Sequence, residues 1–291
     1  MKKLKTPLRY PGGKSRATKF LFDEINLPPN ITSYREPFLG GGSCAIEFTK
    51  RFPDTPVWVN DKYYNLFCFW TVLQENGQML SENLAGIKTL MMKYADLKTS
   101  HKHLFEMSKA KIATTKDPYE IAKHFYIINK CSFSGLGESS GFSFAASQSN
   151  FSLQGIENLV HYQNMIKNWK ITNEDYSVLL EDASDNDFVF CDPPYDIKSF
   201  LYGKKGNMHS TFDHELFEEK MSASNANVMI TYNSNDKLKD MFSKWNQIEW
   251  DLTYTFHSSK KYREDESNRK ELLLLNYSQN IQRNLIEEAT V

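Results

Sequence analysis

The stretch from Tyr34 to Asp61 narrows the choice of fold more than any other part of this chain. Tyr34 to Phe38 reads as the end of a short strand entering the glycine loop Leu39-Gly40-Gly41-Gly42, and Ala45 to Phe52 then carries helical spacing that stops at Pro53. A second short apolar run, Val57-Trp58-Val59, closes on Asn60-Asp61. Strand, glycine turn, helix, strand and acid in that order describe half of a doubly wound parallel sheet. Ser43, just past the glycines, is the expected N-cap of the helix. Such a loop presents backbone N–H groups and a helix N-terminus to a polar ligand. Asp61, 20 residues after Gly41, stands where an acid accepts both hydroxyls of a ribose. On its own a three-glycine loop is also what a tight turn looks like.

A second motif gives the loop a chemical context. Asp192-Pro193-Pro194-Tyr195 follows the buried-strand pattern Phe188-Val189-Phe190-Cys191. An acid can accept a hydrogen bond from a planar amino group, and two prolines fix the backbone while removing N–H donors. Tyrosine offers a stacking face with a polar tip. If both motifs end strands of one parallel sheet, they converge on its carboxyl edge.

Composition sets the outer limits. The 291 residues suit one large domain or one with a smaller insertion. The longest aliphatic run, Leu272 to Leu275, is too short to span a membrane. The N-terminal lysines lead into Pro11-Gly12-Gly13 rather than an apolar segment, so no secretory signal is expected. Cys44, Cys68, Cys131 and Cys191 lie far apart without metal spacing, which predicts free thiols in a reducing compartment. Net charge is −1, yet Lys2 to Lys19 holds seven basic residues and no acid. Further cations cluster at Lys198, Lys204 and Lys205 and at Lys260, Lys261 and Arg263. Segregated charge of this kind suits a nucleic-acid groove and equally an ordinary solvated face.

Tyr64 to about Asp117 reads as mainly helical, with further helices at Ile121 to Asn129 and Ile156 to Trp169. Cys131 to Ser152, rich in Ser, Gly, Phe and Asn, reads as a loop or hairpin. Later strands are expected at Phe188 to Cys191, Val228 to Tyr232 and Glu271 to Tyr277.

Leu8-Arg9-Tyr10-Pro11-Gly12-Gly13-Lys14, Glu36-Pro37-Phe38-Leu39-Gly40-Gly41-Gly42-Ser43, Asn60-Asp61 and Cys191-Asp192-Pro193-Pro194-Tyr195 resemble, in order, the motifs of the DNA adenine methylase (Dam) family. Asn268-Arg269-Lys270-Glu271-Leu272-Leu273 is similar to its closing strand. The resemblance runs from about residue 4 to residue 277. It implies an α/β, Rossmann-like S-adenosylmethionine-dependent methyltransferase with a mostly parallel sheet. Residues 1–63 and 170–291 would form the catalytic domain. Residues 64–169 would be an inserted, mainly helical target-recognition domain with a hairpin near 129–152. The implied activity is site-specific adenine-N6 methylation of double-stranded DNA in the cytoplasm of a bacterial, phage or viral host cell. A restriction endonuclease sharing the target is an implied partner.

By the same resemblance, Tyr10, Lys14, Phe38, Gly40, Gly42, Asp61, Asp175 and Asp192 would contact S-adenosylmethionine. Asp192, Pro193, Pro194 and Tyr195 would be catalytic, and Arg9, Asn129, Lys130 and Ser132 would meet DNA. Lys14 suits the methionine carboxylate. The expected reaction flips adenine out of the duplex and stacks it on Tyr195. Asp192 and the Pro193 carbonyl accept its amino hydrogens for a direct in-line displacement that needs no metal. After Lys130 there is no Lys or Arg before Lys167, so the GATC target of the best-known members does not carry over. Other acceptors with the same fold are cytosine, RNA adenine or a protein glutamine amide. A catalytically dead DNA-binding subunit and a nicotinamide-dependent oxidoreductase are the remaining alternatives. The Asp of Asp-Pro-Pro-Tyr favours adenine, and the intact acids disfavour a dead subunit.

Overall fold

The computed structural model describes residues 4–135, 139–195, 212–251 and 270–278. Lys2, Lys3, Lys198, Lys204, Lys205, Lys260, Lys261, Arg263, Asn268 and Arg269 lie outside the described residues. Seven strands form one sheet: β1 Ser33–Glu36, β2 Val57–Asn60, β3 Lys170–Thr172, β4 Asp187–Cys191, β5 Asn227–Asn233, β6 Asn246–Asp251 and β7 Lys270–Leu275. Their order is β3-β2-β1-β4-β5-β7-β6, and β7 alone runs antiparallel to its neighbours. This is the mostly parallel α/β sheet that the sequence predicts. Tyr34 in β1 sits opposite Val57 on one side and Phe188 on the other.

The apolar strands alternate between two covered faces, as a period of two requires. Phe188 and Phe190 of β4 and Leu273 and Leu275 of β7 join one buried cluster. Val189, Cys191, Leu272 and Leu274 join the other, with Phe217 and Met221 of α7 (His214–Ala223) and Leu238 of α8 (Asp236–Met241). The strands not expected, β3 and β6, are the two edges, and their polar residues carry no apolar run for a sequence reading to find.

The chain enters α1 (Ser43–Arg51) through Gly42, whose φ of 68° places it in the left-handed region as the N-cap. Ser43, expected to cap, is instead the first helical residue and is buried. The glycine wins because the tight exit from β1 requires positive φ, which a serine resists.

Among the described residues five α-helices lie between β2 and β3: α2 Tyr64–Met91, α3 Leu97–Thr114, α4 Pro118–Cys131, α5 Phe144–Ser149 and α6 Leu153–Ile166. Asp96, Asp117, Ser143 and Ser152 cap the last four by accepting from backbone N–H groups. α2 packs on α4 and α6, and it kinks at Asn76. There Gln163 of α6 inserts, donating to the carbonyls of Gln74 and Glu75 and accepting from Gln78 N. Gly77 leaves room for it, since a Cβ would meet Gln163 Cβ at 2.8 Å. Trp70, Phe69, Tyr126 and Phe151 share one cluster with Tyr34 and Phe188, so helices and sheet are welded by a common core.

Between α4 and α5, the region read as a loop or hairpin holds, among its described residues, one isolated antiparallel bridge from Ser132 to Phe142. Asn129 to Cys131 complete α4 and Ser143 begins the cap of α5, which leaves little chain for ladder pairing. All four cysteines are free and buried. Among the described residues no helix is long and apolar enough to cross a membrane.

Candidate active site

The carboxyl ends of β1, β2, β3 and β4 open into one cleft of about 500 Å³, a volume suited to a cofactor-sized ligand. The N-terminal segment forms its roof. A turn at Pro11-Gly12 (Gly12 φ 72°, Gly13 N to Tyr10 O 3.0 Å) sets Tyr10 against the glycine loop. A Cβ on Gly40 would lie 2.9 Å from Tyr10 Cε1, and one on Gly41 2.8 Å from Tyr10 Cβ. Trp70 holds the loop from the other side, donating through Nε1 to Gly40 O at 3.1 Å. A Cβ on Gly42 would meet Trp70 Cζ2 at 2.6 Å with φ at 68°. Gly42→Ala therefore combines a left-handed penalty with a clash and costs about 2 kcal/mol or more. Thermal denaturation should show a melting temperature several degrees lower, and an unchanged value would contradict this packing.

The Asp-Pro-Pro-Tyr motif meets Lys14 in the same cleft. Lys14, only 2% exposed, places Nζ 2.8 Å from Asp192 Oδ1. It also donates to Tyr195 Oη at 2.7 Å and to Gly12 O at 3.0 Å. Thr231 on β5 donates to the same Asp192 oxygen at 2.9 Å. Both described contacts of this carboxylate thus fall on Oδ1 and none on Oδ2. Tyr195 Oη in turn donates to Glu271 Oε2 on β7 at 3.0 Å. The ring is anchored by its polar tip, and its centroid lies 5.8 Å from that of Tyr232.

Asp61 is fixed just past β2 by two backbone donors, Gly40 N at 2.9 Å and Tyr63 N at 2.9 Å. Burial pushes its carboxyl up to about 6, against the pull of those two amides. Glu36, at the end of β1, is held well above the usual carboxylate range. Burial is the main cause, the neighbouring Asp192 and Asp61 charges add to it, and the hydrogen bond from Tyr34 Oη at 2.6 Å opposes it.

Phe38 stacks on Tyr176 at 5.5 Å and meets Phe212 edge-on at 5.7 Å, giving the cleft an aromatic wall. Asp175 lies beside that wall, capping the one-turn helix Tyr176–Leu180 through Ser177 N and pairing with Lys62 at 3.1 Å. Every expected cofactor residue lines this cleft.

The residues expected to meet DNA fall differently. Asn129 and Ser132 are buried and tie down the N-terminal segment. Arg9 N donates to Asn129 Oδ1 at 2.9 Å, Asn129 Nδ2 donates to Arg9 O at 2.6 Å, and Arg9 Nη1 donates to Ser132 O at 2.8 Å. In this geometry Asn129 and Ser132 hold the N-terminal segment at Arg9, and Asn129 also lines the cleft. Lys130 is also buried.

Glu36, Thr231 and Glu271 were not singled out from sequence. Glu36 had a local signal, an acid at the end of β1 four residues before Gly40. Thr231 and Glu271 had none, because only the β4–β5 and β5–β7 pairings carry them to Asp192 and Tyr195.

Residues 10–256 match the family described as D12 class N6 adenine-specific DNA methyltransferase. The chain is 22% identical over 283 residues to the type II methyltransferase M.CviBI of Paramecium bursaria Chlorella virus NC1A, covering 94% of this chain and 100% of that protein. It is 24% identical over 200 residues to the type II methyltransferase M.MjaIII of Methanocaldococcus jannaschii, covering 65% of this chain and 68% of that protein. A third relative, the type II methyltransferase M1.LlaDCHI of Lactococcus lactis subsp. cremoris, is 23% identical over 263 residues, covering 85% of this chain and 87% of that protein.

Proposed function

The chain belongs to the D12 class N6 adenine-specific DNA methyltransferases, and from that premise we propose that Asp192, Pro193, Pro194 and Tyr195 form its adenine site and that the adjoining cleft holds S-adenosylmethionine. The family makes the enzyme a methyltransferase that uses S-adenosylmethionine on adenine N6 in DNA, which sets aside the oxidoreductase and the other acceptors. The observation that carries the site assignment is the asymmetry at Asp192, where Lys14 and Thr231 hold Oδ1 and leave Oδ2 for an amino group.

The cleft suits the cofactor. A Cβ at any of the three loop glycines would collide with Tyr10 or Trp70, so the backbone itself forms the wall. Three acids, Glu36, Asp61 and Asp192, surround a space that a sulfonium and an ammonium would enter. Asp61 would hold the ribose hydroxyls, Lys14 the carboxylate, and Asp175 with the Phe38 wall the adenine ring. When bound, S-adenosylmethionine supplies a methyl group made electrophilic by its positively charged sulfur.

The protein's part is positioning. An adenine in a duplex is out of reach and must leave the stack at a cost of a few kcal/mol. Tyr195 receives the ring on a face fixed by Lys14 and Glu271. Asp192 and the Pro193 carbonyl accept the two amino hydrogens, which localises the nitrogen lone pair for in-line attack. Residues 64–169 serve as the target-recognition part, and residues 1–63 and 170–291 as the catalytic part. The type II relatives support a cognate restriction endonuclease with the same target. Four free buried cysteines fit the reducing cytoplasm of a bacterial, phage or viral host cell.

Asp61 gives a test of the cofactor site by pH. Below about 6 its carboxyl takes a proton and no longer accepts from two hydroxyls, so cofactor affinity falls as pH drops through that value. Titration calorimetry should show affinity about tenfold weaker at pH 5 than at pH 7. Asp61→Asn should be weak at both and lose the step. A wild-type affinity that stays flat across this range would contradict the assignment.

A further inference from the structure

Tyr195 is tied at both ends. Pro193 and Pro194 restrict the backbone that leads to it, and its hydroxyl is held between Lys14 and Glu271. Lys14 Nζ donates to Oη at 2.7 Å, and Oη donates to Glu271 Oε2 at 3.0 Å. A lysine ammonium has no acceptor, so the hydroxyl hydrogen cannot turn toward it, whereas an ionised carboxylate can only accept. The two partners thus admit one direction for the O–H bond. Conjugation keeps that bond in the plane of the ring, so fixing it fixes the plane of Tyr195.

Glu271 is 6% exposed and sits opposite Asn233 of β5 and Trp250 of β6. Because β7 runs antiparallel to both neighbours, its first residues reach the carboxyl edge of the sheet, where the cleft opens. Leu272 to Leu275 follow and are fully buried, and a strand with that much buried surface cannot slip in register. Burying a carboxylate is costly unless it is paired. Lys14 serves two of them, Asp192 directly at 2.8 Å and Glu271 through the Tyr195 hydroxyl. Among the described residues that line the cleft Glu271 is absent while Tyr195 is present.

We propose that Glu271 is a positioning residue for methyl transfer, which sets the plane of the Tyr195 ring against the flipped adenine by holding its hydroxyl. The carboxylate works by its reach to Oη, not by its charge. The inference rests on the adenine-site reading above, in which Tyr195 receives the target base.

The test is single-turnover transfer of labelled methyl to unmethylated genomic DNA by the full chain, with Tyr195 present or replaced by Phe. Glu271→Gln keeps an oxygen at the same reach and should stay within about twofold of the wild type. Glu271→Asp keeps the charge but draws the oxygen away from Oη, and it should be about fivefold slower, as should Glu271→Met. Added to Tyr195→Phe, none of the three should cause a further loss, because no hydroxyl remains to be held. S-adenosylmethionine affinity should be unchanged throughout. A Gln variant as slow as the Asp variant, or an Asp variant as fast as the wild type, overturns the proposal. Losses that persist at full size beside Tyr195→Phe mark a general structural role and overturn it as well. A wild-type rate in Tyr195→Ala overturns instead the adenine-site reading beneath it.

Discussion

Asp192→Ala lowers methyl transfer by about 10³-fold or more, while the protein remains folded and binds DNA. The amino nitrogen of adenine is a poor nucleophile because its lone pair is delocalised into the ring, and in the proposed site the carboxylate Oδ2 with the Pro193 carbonyl would oppose that delocalisation. Loss of one well-placed polar group facing developing charge typically costs 10²–10³ in rate, and here a charge is lost as well. The change also breaks the Lys14–Asp192 pair and leaves the buried ammonium with Tyr195 Oη and Gly12 O, so the variant should stay folded but melt several degrees lower. Asp192→Asn should fall nearly as far, since its amide nitrogen presents donors where the site needs acceptors. Single-turnover transfer of labelled methyl measures both variants, and a rate near wild type in either would contradict the proposed role.

Tyr195→Ala is the second large effect. Stacking a base on an aromatic side chain contributes about 1–3 kcal/mol, so kcat/KM should fall roughly 5- to 150-fold. Tyr195→Phe keeps the ring but loses the contacts to Lys14 and Glu271, and its loss should stay under about tenfold. Should the Phe variant prove as damaged as the Ala variant, the polar anchor rather than the stacking face would be the working part.

These predictions draw on parts of the chain that were unequally legible. The run from Tyr34 to Asp61 could be read because its information is local: glycine turn, helix and acid follow one another within a single βαβ unit. The Asp-Pro-Pro-Tyr motif and Lys14 could be read for the same reason, and the structure brings all of them to one cleft. β3 and β6 were invisible because edge strands need only half an apolar face. Thr231 and Glu271 reach the site through β5 and β7, a pairing that no local pattern announces. Asn129 and Ser132, which the resemblance implies meet DNA, also hydrogen-bond Arg9 from buried positions, and that burial is not written in the residue types.

The most direct measurement is modification-sensitive sequencing of DNA from an adenine-methylation-free host expressing the wild type and, separately, Asp192→Ala. The account predicts N6-methyladenine at every copy of one short motif in the first and none in the second. Methyl groups on cytosine amino nitrogens, no DNA methylation by the wild type, or methyladenine that persists in the Asp192→Ala strain would contradict it.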